Sequence, residues 1–363
     1  MMVTALNLYL LDLTLPRLTE WLTAQGEPAY RAKQVYRHIY QTLSPGLGEM
    51  TDLPLSLRHH LARTVSLDPL QMVAEQASAD GLTLKALFEL PDGEAIESVL
   101  MLYGDEEGEA RQRRTVCLST QVGCAMNCVF CATGQGGWKR DLSAGEILGQ
   151  VLYFARRARR EDAAAGITNV IFAGMGEPLA NYDAVWEAIE RLNDPAGFGL
   201  GARHVTVSTA GWVPGIQRLA AEKLQVGLAV SLHASDDALR SRLMPINRRY
   251  PVSQLMAACR AYVEATGRRI SFEYVLISGV NASLAQARKL AALLRGMLCH
   301  VNLIPLNPVP GSGWAAPGRL EVQAYQAALA AAGIPTTLRL GRGSDIQAAC
   351  GQLRCRLGSA EAS

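Results

Sequence analysis

The sequence predicts an α/β protein, a partial (β/α)6 barrel preceded by a small helical N-terminal accessory domain. Three observations carry this. From Thr115 onward, a strand, loop and helix pattern repeats about six times, too often for one βαβ motif and too few for a closed eight-fold barrel. Residues 1 to about 65 show helical spacing instead, with Tyr30, Gln34, Arg37 and Tyr40 on one face of "YRAKQVYRHIY". The candidate strands end in polar or glycine-rich stretches, "CLSTQ", "AGMGEP", "STAG", "SLHA" and "LNPVPG", and barrel strands direct such ends at one common site.

The opening stretch "MMVTALNLYLLDLTL" is apolar, but it lacks a basic leader and is interrupted by Asp12, so it reads as neither a secretory signal nor a membrane span. Helical stops follow at "QGEP" and "LSPG", closing an accessory domain over 1–65. Residues 66–114 read as a β-hairpin linker, in which "LTLKALFEL" and "AIESVLMLY" flank the turn "PDGE". The barrel core is expected over 115–340, with strands at "TVCLST", "TNVIFAG", "HVTVSTA", "VGLAVSLHA", "ISFEYVLI" and "HVNLIPL" and a late one at "TTLRL". Residues 341–363 are expected to form a mobile tail, with Gly341 and Gly343 supplying backbone freedom.

Composition agrees with a globular chain: of 363 residues, 49% are hydrophobic and 19% charged. No apolar run approaches the roughly 18 residues of a membrane helix. A soluble, cytoplasmic monomer without a membrane partner is expected. Net charge is only +2, yet arginines cluster at 111, 113 and 114, at 156, 157, 159 and 160, and in the pairs 248/249 and 268/269. These are either solvated faces or phosphate contacts, and the planar guanidinium fork suits phosphate.

Eight cysteines are too sparse for a disulfide scaffold, and three of them, Cys124, Cys128 and Cys131, crowd one loop in "QVGCAMNCVFCATG". A structural zinc site, the alternative, usually draws ligands from two separated knuckles. Three thiolates on one loop can each hold one iron of a 4Fe–4S cluster. The fourth iron is then free to chelate the amino and carboxylate groups of S-adenosylmethionine (SAM), positioning it for one-electron cleavage to a 5'-deoxyadenosyl radical. Gly174 and Gly176 are expected to let the backbone approach a ligand.

The triplet with "GMGEP" resembles the radical-SAM superfamily. "MTDLPLSLR", "IESV", "TVCLSTQVGC", "CATGQGGWKRDLSAGEILGQV", "GMGEPLANYDAV", "VTVSTAG", "VSLHA", "PLNPVPG" and "DIQAACGQL" resemble more closely the adenine-C2 RNA methyltransferase family RlmN, over nearly the whole chain. The resemblance implies a radical-SAM barrel with an RNA-contacting N-terminal domain, a 4Fe–4S cluster and SAM. It also implies methylation of adenine C2 in 23S rRNA, with tRNA a further substrate, and an electron donor such as flavodoxin or ferredoxin. Adenine C2 lies between two ring nitrogens and is too electron-poor to attack a SAM methyl, so carbon-radical chemistry makes sense.

In that family one cysteine carries a methyl group and a second forms a disulfide with it to release product. The resemblance assigns these roles to Cys350, in "AACGQL", and Cys117, in "TVCLS". Cys117 alone would read as a buried apolar strand cysteine. Cys355 is the rival for Cys350; in a helical tail the two point about 140° apart, so both cannot serve one site. Cys259 and Cys299 are taken as core. Gly176 and Glu177 match the contact to the SAM amino group, and Ser208, Ser231, Leu232, His233 and Asn307 match the remaining SAM positions. Glu97 matches the proposed acceptor of the C2 proton, against the plain reading of a strand carboxylate. The competing functions are an adenine-C8 methyltransferase, a radical activase, and a non-catalytic metal-containing RNA-binding protein.

Overall fold

The computed structural model describes residues 8–104, 113–307, 313–339 and 341–353. The chain begins with three helices: α1 (Leu15–Ala24), α2 (Tyr30–Arg37) and α3 (Leu55–Thr64). Thr14 caps α1 by accepting from the Arg17 N–H. A π-turn at His38–Thr42 prolongs α2 and stops at Leu43, which adopts a left-handed φ of 58°. His38 then bridges Ser44 and Asp52 through its two ring nitrogens, at 2.8 and 2.5 Å, and ties down the following loop.

Three antiparallel strands follow, β1 (Gln71–Ala77), β2 (Thr83–Glu89) and β3 (Ala95–Tyr103), and β3 pairs antiparallel with β4 (Arg113–Leu118). The hairpin read from "PDGE" is β2 and β3, with Leu87 opposite Glu97. It extends the barrel sheet itself. β1 escaped the sequence reading because, as an edge strand exposed along nearly its whole length and bulged between Met72 and Ala74, it lacks apolar alternation.

After β4 come a two-stranded ribbon, β5 (Gln121–Gly123) and β6 (Trp138–Asp141), with the short helix α4 (Ala132–Gln135) between them. Then the β/α pattern runs α5 (Ala144–Glu161), β7 (Asn169–Phe172), α6 (Tyr182–Asn193), β8 (Val205–Thr209), α7 (Val213–Ala220) and β9 (Gly227–Ser231). It continues α8 (Asp237–Leu243), α9 (Val252–Thr266), β10 (Ile270–Leu276), α10 (Leu284–Leu294), β11 (Cys299–Pro305), α11 (Arg319–Ala331) and β12 (Thr336–Leu338).

The main sheet has ten strands in the order β1-β2-β3-β4-β7-β8-β9-β10-β11-β12, parallel from β4 onward. This is the open barrel the strand pattern predicted, with β1 and β12 its outermost strands among the described residues. Parallel strands covered on both faces need near-continuous apolar sequence; in β10 Ile270, Phe272, Tyr274 and Leu276 are fully buried on one face, and Glu273 and Val275 are buried on the other. Truncating one such aromatic, Phe272→Ala, costs about 3–5 kcal/mol.

The helical N-terminus shares this core. Leu18, Leu22, Val35, Leu57 and Leu61 are buried in the same apolar cluster as the barrel helices. Polar ties seal the junction. Asp12 accepts from Ser143 Oγ at 2.7 Å and the Gly145 N–H at 3.1 Å, and Arg191 donates to Leu13 O and the Tyr40 hydroxyl. Three arginines weighed as phosphate ligands are occupied here instead: Arg156 pairs with Asp68 at 3.1 Å, Arg157 with Glu75 and Glu161, and Arg159 donates to Gln41 O. Arg268 likewise donates to Gln225 O, and Arg249 stacks on Trp212 and Tyr250. Arg111 lies outside the described residues.

Candidate functional site

The loop between β5 and α4 carries Cys124, Cys128 and Cys131. It is wound by backbone bonds: Cys124 N–H donates to Gly137 O at 2.7 Å, Cys131 N–H to Cys128 O at 3.1 Å, and Val129 N–H to Leu243 O at 3.1 Å. Asn127, at φ 52°, makes the left-handed bend. Burial pushes the Cys124 thiol up to about 12 and holds Cys128 well above its ordinary value, each reinforced by its neighbours' charge. Such thiols ionise only against nearby positive charge, which metal supplies. A tetrahedral zinc needs its ligands gathered about one point, whereas a cubane takes each thiolate at a separate corner. The three residues fit the cluster.

The loop borders a cavity of about 170 Å³ at the C-terminal ends of the barrel strands. Glu177, Ser208, Ser231, His233 and Asn307 line it together with the three cysteines, and so does Gly176. Glu177 is buried, and burial raises its carboxyl to about 7, although it accepts from the Ala210 N–H at 2.6 Å, the Leu179 N–H at 3.1 Å and the Thr209 side chain. His233 sits at a left-handed φ of 57°, and its Nδ1 accepts from the Val275 N–H at 3.0 Å. Burial, helped by the Arg240 charge, lowers its pKa to about 3, so the ring is neutral with its proton on Nε2.

A second cavity, of about 480 Å³, is lined by Cys117 on β4, by Val99, Met101 and Tyr103 on β3, and by Arg113 and Arg342. Both guanidiniums lie over the Tyr103 ring, at 5.2 and 4.5 Å from its centre. Burial, then the neighbouring Cys350, pushes the Cys117 thiol up to about 12. Cys350 lines both cavities, as do Cys131, Asn307 and Arg339. Burial raises its thiol pKa, against the lowering effect of Arg339.

Residues 341–353 form a chain of turns docked on the site. Asn307 Nδ2 donates to Cys350 O at 3.1 Å, Ala132 N–H to Gly351 O at 2.7 Å, Ala79 N–H to Asp345 Oδ2 at 2.8 Å, and Arg342 to Leu102 O at 3.0 Å. The considered helical tail is not what forms here; Gly343 and Gln347 both adopt left-handed φ values that break a helix. Gly341 serves close approach, since a Cβ there would strike Asn307 Oδ1. Cys355 lies outside the described residues.

Three further expected positions also make contacts within the protein. Gly174 and Gly176 admit protein as well as a cavity: a Cβ on Gly174 would sit 2.7 Å from Leu118 O, and one on Gly176, at φ 103°, 2.7 Å from Gln121 side-chain carbons. Leu232 lines neither cavity; its side chain is fully buried, its N–H donates to Glu273 O and its carbonyl accepts from Arg240. Glu97 also lines neither. It is buried with its carboxylate 3.1 Å from Lys85 Nζ, one same-face position along β3 from Val99. Cys259 and Cys299 are core, as read.

Sequence reasoning missed Tyr103, Arg240, Glu273 and Arg339. The available signal for Arg339 was a charge ending the apolar strand "TTLRL"; Arg240 is hidden in an ordinary amphipathic pattern, "DALRSRL".

Residues 118–291 match the family model described as the radical SAM superfamily, and residues 8–67 match the ribosomal RNA large subunit methyltransferase N-terminal domain. A relative in Chloroflexus aurantiacus, named a probable dual-specificity RNA methyltransferase RlmN, is 52% identical over 96% of this chain and 93% of its own. One in Moorella thermoacetica with the same name is 49% identical over 94% and 95%. The crystal structure of a radical SAM methyltransferase from Sphaerobacter thermophilus superposes with a TM-score of 0.91 at 52% identity, covering 96% of this chain and 99% of that one.

Proposed function

The chain belongs to the RlmN family of radical SAM methyltransferases, and from that premise we propose that it methylates adenine C2 in 23S rRNA and in tRNA through Cys350 and Cys117. The observation that carries this reading is that Cys350 borders two cavities at once, one with the cluster cysteines and the other with Cys117. A group loaded on Cys350 from the smaller cavity has direct access to a base in the larger one.

When bound, the 4Fe–4S cluster and SAM supply the methyl group and one-electron chemistry. Cys124, Cys128 and Cys131 would hold the cluster, and Gly176, Glu177, Ser208, Ser231, His233 and Asn307 would line the SAM site, where a cationic group would favour the ionised form of Glu177. Cys350 accepts the methyl on sulfur and, after loss of one hydrogen, its carbon bonds to adenine C2. Glu97 takes the C2 proton, which requires its carboxylate to turn from Lys85, and the electron left unpaired on the ring returns to the one-electron chain that supplied it. Cys117 thiolate then attacks the Cys350 sulfur: the S–S bond forms, the S–CH2 bond breaks, and the released electron pair takes a proton to complete the methyl.

The reading extends to a monomer acting in the cytoplasm with a flavodoxin or ferredoxin as donor; among the described residues no helix is long and apolar enough to cross a membrane. The test is anaerobic incubation with SAM, reductant and unmodified ribosomal RNA or tRNA, followed by nucleoside mass spectrometry. 2-Methyladenosine is expected; 8-methyladenosine or no product overturns the assignment.

A further inference from the structure

Arg240, on α8, is completely buried, and its interactions define a task outside those assigned above. Nε donates to Leu232 O at 3.1 Å, one terminal nitrogen to Ala210 O at 2.7 Å and Ser231 O at 3.1 Å, and the other to Asn247 Oδ1 at 3.0 Å. Asn247 is held in turn by Asp237 and Ser241 at 2.9 Å. Among the described residues no carboxylate pairs with the guanidinium; neutral oxygens surround it. Gly211, at φ 102°, keeps the approach open, for a Cβ there would lie 3.0 Å from Arg240.

Burying such a cation is costly, and a well-packed apolar replacement is often neutral or stabilising. Stability alone is therefore a poor reason for it. The three carbonyls it gathers, of Ala210, Ser231 and Leu232, lie at or just past the C-terminal ends of β8 and β9. Ser208 and Ser231 sit in those strand ends, His233 follows two residues after Ser231, and the Ala210 N–H donates to Glu177. We propose that Arg240 is a positioning residue for the smaller cavity, clamping two adjacent strand ends at the spacing that SAM requires. This rests on reading that cavity as the SAM site.

Lysine keeps the charge but not the planar fork, so it cannot reach all four oxygens. Arg240→Lys should fold and load iron as wild type does, while its SAM affinity in anaerobic equilibrium dialysis falls roughly tenfold, about two hydrogen bonds' worth. Asn247→Ala leaves Arg240 in place and loosens one arm; SAM affinity should fall by about threefold with little change in iron content. The SAM KM should rise in step with these losses while saturated turnover stays closer to wild type. Wild-type SAM affinity in a folded, iron-loaded Arg240→Lys protein overturns the proposal. So does a collapsed Arg240→Lys protein alongside an Asn247→Ala protein that binds SAM normally, because the role would then be stability alone. Failure of the wild-type, iron-loaded protein to bind SAM would instead refute the cavity assignment.

Discussion

Thr133 Oγ1 donates to the Leu353 carbonyl oxygen at 2.6 Å, joining the helix that follows Cys131 to the tail that presents Cys350. Thr133→Val should leave that carbonyl unpaired and increase tail opening by up to about tenfold. Hydrogen exchange at Ala349 to Gln352 should quicken, and Cys350 methylation should slow at unchanged iron content. Unaltered exchange would remove the anchoring role.

The two transfer cysteines give their variants opposite fates. Cys350→Ala has no thiol to receive the methyl, so it should carry no S-methylcysteine and bind RNA only non-covalently. Cys117→Ala can still load Cys350 and attack the base but cannot expel it, so protein should accumulate crosslinked to RNA through Cys350. Nuclease digestion, denaturing gels and peptide mapping distinguish the two; normal turnover by Cys117→Ala would end the assignment.

Replacing Cys124, Cys128 or Cys131 by Ala should abolish the brown chromophore and SAM cleavage, because each thiol is the one protein ligand of its corner. Iron analysis and detection of 5'-deoxyadenosine check this. Any single variant with full iron and activity contradicts it.

His233 predicts an acid-side loss of stability. Its folded pKa is about 3, lowered by burial and then by Arg240, against about 6.5 unfolded. Between those values the unfolded chain binds the extra proton, so stability falls as pH drops below 6.5, by about 1.4 kcal/mol per unit from this residue. His233→Gln should flatten that part of the profile in urea titrations. An unchanged slope would mean that His233 titrates in the folded protein.

Point variants test the N-terminal region better than truncation does. Removing 1–65 would strip Leu11 and Asp12 from α5 at Gly145, as well as cut any RNA contact, since both regions share one core. Arg113→Gln with Arg342→Gln, at the mouth of the larger cavity, should weaken RNA binding several-fold and reduce its salt dependence without altering SAM cleavage. Filter binding across salt concentrations decides.

The barrel strands were legible because double-sided burial leaves runs such as "ISFEYVLI", and the cluster loop because its thiols are adjacent in sequence. What sequence could not supply was partnership across distance. Arg156, Arg157 and Arg159 look like a basic patch until Asp68, Glu75 and Gln41 are brought against them. Arg240 reads as a surface helix residue until four oxygens from separate turns meet it. Leu232 illustrates the reverse: a motif position whose polar groups the fold has already engaged.

Among the described residues β1 and β12 are the outermost strands of the sheet. The tail departs from β12, crosses to the far side, and fastens there at Leu102, Ala79 and Thr83. It works as a hasp across the seam of an unclosed cylinder. Lifting it would withdraw Cys350 from both cavities and release the ties to Leu102 and Ala79 in the same motion.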